Sequence, residues 1–182
     1  MLAYVFWHLP AAGAADYEAR LAAFHAALRG AGVPWLGPTA TYALESVPWL
    51  GGAAGYEDWY LVDDFAALGA LNHAAVSGAR RDPHDAAAAL AGTGAGGVLG
   101  HVAGPWLPPA AGWAAWLAKP DGMAYETFHA ALAAAVADGA AVWQRQMVLG
   151  PAPEFCVLAA APQALPWPAQ GWGLRTVVDQ QR

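Results

Sequence analysis

Phe24-His25-Ala26-Ala27-Leu28 recurs as Phe128-His129-Ala130-Ala131-Leu132. Tyr17-Glu18 stands before the first copy and Tyr125-Glu126 before the second. Leu36-Gly37-Pro38 follows the first and Leu149-Gly150-Pro151 the second. Self-similarity on this scale is the mark of a repeated structural unit. Both copies fall on helical patterns. Tyr17, Leu21, Phe24 and Leu28 make one apolar stripe, and Tyr125, Phe128, Leu132 and Val136 make another.

Strand patterns surround these helices. Tyr4 to Leu9 alternates two apolar faces and stops at Pro10. Thr39 to Val47 and Trp59 to Val62 follow the first helix, separated by a glycine-rich loop from Trp49 to Gly55. Asp63 or Asp64 caps a helix whose apolar face holds Phe65, Leu68, Leu71 and Val76. Asp82-Pro83-His84-Asp85 starts a further helix, with an acid at the cap and proline in the first turn. Val98 to Ala103 is the next strand. Beyond it the pattern repeats in reduced form. Trp113 to Ala118 reads as a strand, Met123 to Ala137 as a helix, and Ala141 to Leu149 and Phe155 to Ala160 as strands. The Pro-rich stretch 162–168 stands where a second helix is due, and Leu174 to Asp179 reads as the closing strand.

Composition narrows the function. Of 182 residues, 58% are hydrophobic and 12% charged, with ten Trp and a net charge of −6. A charged share near 25% is usual, so part of this surface is expected to be covered by a second layer. No basic stripe exists to neutralise phosphates, which argues against nucleic acid and against basic membrane-surface binding. Residues 86–118 lack Asp, Glu, Lys and Arg, but glycine and proline interrupt them, so a helix end, a strand and a linker are expected rather than a membrane span. The segment Met1 to His8 has no basic flank or long apolar core and reads as a strand, not a signal peptide, so the cytoplasm is the expected compartment. Cys156 is the only cysteine, in an apolar run, and is read as a buried, inert thiol.

The order β-α-β-β-α-β resembles the ferredoxin-like unit. Two such units in tandem resemble the dimeric α+β barrel superfamily. The resemblance implies an α+β protein with two antiparallel sheets facing each other as a pseudo-symmetric barrel. Residues 1–104 would form the first unit with an additional helix, 105–112 a linker, and 113–182 a reduced second unit. The first strand is apolar on both faces, which demands cover on both, from the sister sheet or from a second subunit as a homodimer.

Candidate chemistry is sparse. His8 shares a strand face with Tyr4 and Phe6, Glu45 with Thr41, and Arg145 with Trp143 and Met147. His73 lies on the second helix. A pocket walled by Trp7, Tyr42, Trp59, Trp116 and Trp143 would suit a small apolar or aromatic molecule. In the enzyme version, a cofactor-free oxygenase or isomerase as the superfamily implies, His8, His73 or Glu45 would act as base and Arg145 would steady a negative charge. Asn72-His73 with Trp59 invites comparison with haem-degrading members, but those take the Asn from the first strand, where this chain has none. No cofactor is expected, with a haem-related monooxygenase of the α+β barrel type kept as an alternative. Glu57, Asp58, Asp63 and Asp64 bracket a strand and read as solvated ends and caps, with no metal expected. His25 and His129 read as boundary histidines. The competing class is a non-catalytic structural or regulatory module whose tryptophans are core and interface. No H-E-x-x-H, P-loop, G-x-S-x-G or dinucleotide fingerprint is present.

Overall fold

The computed structural model describes residues 1–11, 14–30, 32–107 and 110–180. It is a mixed α+β structure with one antiparallel sheet and four helices. The elements run β1 (Leu2–Pro10), α1 (Ala14–Gly30), β2 (Leu36–Val47), β3 (Ala53–Val62), α2 (Phe65–Ala75), α3 (Arg81–Ala88), β4 (Ala91–Ala103), β5 (Trp113–Leu117), α4 (Tyr125–Ala135), β6 (Ala141–Arg145), β7 (Phe155–Ala159), β8 (Ala169–Gly173) and β9 (Arg175–Gln180). Across the sheet the order is β8-β5-β7-β6-β4-β1-β3-β2-β9. Every neighbouring pair is antiparallel.

Period-two alternation decides what each face buries. On β1, Ala3, Val5 and Trp7 join an inner cluster that also takes Trp59 and Leu61 from β3, Trp116 from β5 and Trp143 from β6. Tyr4 packs on the opposite face with Phe24 of α1 and Leu71 of α2. Phe128 and Leu132 of α4 cover the same outer face in the other half.

The inner cluster shows that the sheet is rolled. Four strand steps separate β1 from β5, about 19 Å in a flat sheet. Yet the rings of Trp7 and Trp116 have centroids 5.3 Å apart. Trp59 and Trp143, on strands three steps apart, lie 5.7 Å apart. The sheet therefore curls until tryptophans from distant strands interdigitate.

Several expectations are corrected. There are not two sheets facing each other but one continuous nine-stranded sheet, and its ladder is open: among the described residues β8 and β9 are edges and do not pair. The strand from Leu174 does not close the second half. β8 does that, and after Leu174 the chain crosses to pair with β2 as β9. β4 begins at Ala91 rather than at Val98, so the glycine run 92–97 is strand. A Cβ on Gly94 would sit 2.6 Å from the Phe6 ring, and one on Gly96 2.9 Å from the Tyr4 hydroxyl. The glycines thus leave room for both rings to lie across the sheet. β6 stops at Arg145, because Met147 adopts φ 54 and turns the chain.

Candidate functional site

A cavity of about 760 Å³ lies between the outer face of the first half's strands and helices α1 to α3. Its floor is Tyr4, Phe6 and His8 of β1 with Asp58 and Tyr60 of β3. Tyr17, Leu21 and Phe24 of α1 form one wall, and Leu68, Leu71 and Asn72 of α2 another. His84 and Ala87 of α3 cover it. None of the described residues lining it is Lys or Arg.

Asp58 is the polar centre. Register sets it opposite Phe6 on β1 and Thr41 on β2. It is 2% exposed, and an unpaired carboxylate there would be very costly. Donors surround it instead. The Thr41 hydroxyl donates to Oδ1 at 2.6 Å and the Tyr60 hydroxyl to Oδ2 at 3.0 Å. His8 Nε2 stands 3.1 Å from Oδ2, close enough for charge pairing though off the ring's N–H direction. His25 Nε2 stands 3.8 Å from Oδ1. Burial pushes the Asp58 carboxyl up, but His8 and His25 outweigh it and hold the group well below the usual carboxylate range.

The network extends on both sides. Tyr17 Oη and His8 Nδ1 are 2.6 Å apart. Thr41 and Tyr60 give their protons to Asp58, so His25 Nε2 is the donor to both oxygens, at 3.0 and 3.2 Å. Its Nδ1 faces Thr39 Oγ1 at 2.8 Å. Burial, then the Asp58 charge, raises the phenols of Tyr17 and Tyr60 well above their ordinary value. Both therefore stay protonated. The arrangement is an Asp–His–Tyr chain that can hold a proton or pass one at the floor of an otherwise apolar cavity.

The inner side of the same strands holds a second buried carboxylate. Glu57 receives the indole N–H of Trp7 on Oε2 at 2.7 Å and that of Trp59 on Oε1 at 2.6 Å. Burial raises its carboxyl to about 7 against the lowering effect of the two indoles. Glu57 and Asp58 do not bracket a strand, as read from sequence. They sit inside β3, one on each face, both buried. Asp64 does cap α2, accepting from Ala67 N at 2.8 Å. No group of three or more His, Cys, Asp or Glu suited to a metal ion occurs among the described residues.

Of the residues proposed from sequence, His8 alone lines the cavity. Trp7, Tyr42, Trp59, Trp116 and Trp143 are buried in the roll's interior and none of them faces it. Glu45 is exposed on β2, and His73 is exposed on α2 beside the cavity-lining Asn72. Arg145 lies in the other half, where it donates to the carbonyls of Gly150 and Ala152 at 3.3 and 2.6 Å. His25 is not at a boundary but fully buried in the network. His129 is half-buried and pairs with Gln144 at 3.0 Å. Cys156 is buried, and desolvation pushes its thiol up. Tyr17, Asp58, Tyr60 and His84 were not read as site residues, and Asp58 was read as a solvated strand end or cap. The available signal was Glu57-Asp58, a charged pair flanked on both sides by strand formers.

No family model matches the chain, and no curated protein matches it. A crystal structure from Fusobacterium nucleatum subsp. nucleatum, named "Putative monooxygenase", aligns with a TM-score of 0.62 at 7% identity. The alignment covers 100% of this chain and 94% of that one. That likeness is one of fold: this chain shares an α+β sheet architecture with that protein.

Proposed function

We propose that the protein binds a small, uncharged, apolar or aromatic molecule in the cavity under α1 to α3 and acts on it by proton transfer. The observation that carries this reading is the buried His8–Asp58–Tyr17 chain at the floor of a cavity of about 760 Å³. That volume suits a ligand of two or three rings, and the walls supply apolar contact. A buried carboxylate with no Lys or Arg on the walls disfavours phosphate or carboxylate ligands, which would lose hydration without gaining a cation. His8, reached through the Tyr17 hydroxyl, is the base of this reading, and Asp58 is the anion beside it. The fold likeness to a protein named as a monooxygenase supports an oxygenase version, in which the proton removed is the substrate's own. The tryptophans are assigned to the core, since all four candidates pack in the roll. We also read the two halves as copies of one ferredoxin-like unit. Their strands run β4-β1-β3-β2 and β8-β5-β7-β6, the same order in each half, and His25 and His129 both reach the second strand of their half.

The test is calorimetric titration with 2-naphthol and 2-naphthoate, in wild type and in Leu68→Trp, which fills the cavity without touching the network. Saturable binding of the naphthol, weak or absent binding of the naphthoate, and loss of the naphthol signal in the variant are expected. Naphthoate binding as well as naphthol, or naphthol binding unchanged in Leu68→Trp, would overturn the assignment.

A further inference from the structure

Around Asp58 the cavity floor has few hydrogen-bonding positions left for a ligand. Thr41 and Tyr60 direct their hydroxyl protons to Asp58. His8 Nε2 is buried 3.1 Å from Asp58 without a hydrogen bond, and Nδ1 meets Tyr17 Oη at 2.6 Å, so neither ring nitrogen is open to the cavity. Tyr17 differs, because its hydroxyl has more than one position and His8 uses only one. It lines the cavity beside His8.

One proton lies between Tyr17 Oη and His8 Nδ1, and its owner decides what Tyr17 shows the cavity. With His8 neutral and its hydrogen on Nε2 toward Asp58, Nδ1 accepts and Tyr17 donates. Tyr17 then presents lone pairs to the cavity. With His8 doubly protonated, Nδ1–H donates to Tyr17 Oη, and the phenol hydrogen is released toward the cavity. We propose that Tyr17 is the polar contact beside His8 for a ligand in the cavity, and that the proton on His8 decides whether this contact accepts from a hydroxyl or donates to a carbonyl. The proposal rests on the reading that the cavity holds an uncharged molecule.

The titratable and charged groups around His8 are Asp58, Tyr56 and Tyr60 on β3, Tyr17 and His25 on α1, and Tyr4 on β1. Across the cavity stands His84, paired with Asp85 at 2.9 Å. None of these but Tyr17 offers His8 Nδ1 a partner. A ketone can only accept, so it selects the protonated form of His8. An alcohol can donate or accept, so it is served by either form. Ketone affinity should therefore fall as rising pH removes the second proton of His8, while alcohol affinity stays level.

The matched probes are 2-tetralone and 2-tetralol, titrated by calorimetry at a series of pH values over which the fold is retained. The expected result is a tetralone affinity that falls by up to about tenfold per pH unit, as one linked proton requires. Tetralol should change by less than about threefold over the same range. Tyr17→Phe should still bind tetralone but with a level profile, and His84→Gln should keep the slope. Parallel profiles for the two probes in wild type would overturn the proposal, as would a slope unchanged in Tyr17→Phe. If neither probe binds, the cavity reading itself falls and takes this proposal with it, a result distinct from binding without pH dependence.

Discussion

Glu57 and Asp58 are neighbours with opposite electrostatic fates, because adjacent residues on a strand face opposite sides of the sheet. Asp58 meets two imidazoles and two hydroxyls, while Glu57 meets two indole N–H groups and no cation. The Glu57 carboxyl is raised from 4.5 to about 7 by burial. Its folded value lies above its unfolded one, so between these limits the native state keeps a proton that the unfolded chain has released. The stability it gives is fully present below 4.5 and is lost as pH rises through about 7. The span corresponds to roughly 3 kcal/mol. Denaturant unfolding at several pH values should show this decline in wild type and not in Glu57→Gln. Asp58 works in the opposite sense: its contribution is present above the ordinary carboxylate range and fails as pH falls below about 4. Asp58→Ala should cost about 3–5 kcal/mol at neutral pH, since it strands buried donors and an imidazole. A loss below about 1 kcal/mol would mean that water reaches the group. Of this chemistry only His8 was legible in the sequence, by alternation with Tyr4 and Phe6. Asp58 was not, because what makes its burial tolerable comes from Thr41 on β2 and His25 on α1, far away in the chain.

At the level of elements, α1 and α4 carry the same pentapeptide in different surroundings. Phe24 and Phe128 are both buried, as are Leu28 and Leu132. The histidines diverge, since His25 contacts Thr39, Thr41 and Tyr60 while His129 pairs with Gln144 at the half-exposed edge. His25→Ala should cost at least about 3 kcal/mol and His129→Ala about 1 kcal/mol, measured by chemical denaturation. Equal losses would show that the surroundings do not matter. The helices were legible because apolar residues recur at helical spacing. β8 was not, because Ala169-Gln170-Gly171-Trp172-Gly173 contains few strand formers and is held by its pairing with β5. The glycine half of β4 misled for the same reason: the glycines serve the rings of Tyr4 and Phe6 rather than a turn. Residues 146–149 misled in reverse, since strand-forming side chains there follow a backbone turned at Met147.

For the whole molecule, the inner cluster draws on both halves, including Leu107 and Ala111 between them. Neither half completes the inner cluster alone. Calorimetry should therefore show one cooperative transition, and residues 1–104 produced alone should show none. Two separate transitions would contradict this. The connection from β8 through Leu174 to β9 adds a consequence for kinetics. Thr39 pairs with Gln180, so the last ladder joins segments from nearly opposite ends of the sequence. Contacts of such high contact order form late, after the entropy of closing a long loop has been overcome. Until then β2 is an unprotected edge. A refolding chain should pass through a slow phase in which this edge recruits neighbouring molecules, so that refolding yield falls with concentration.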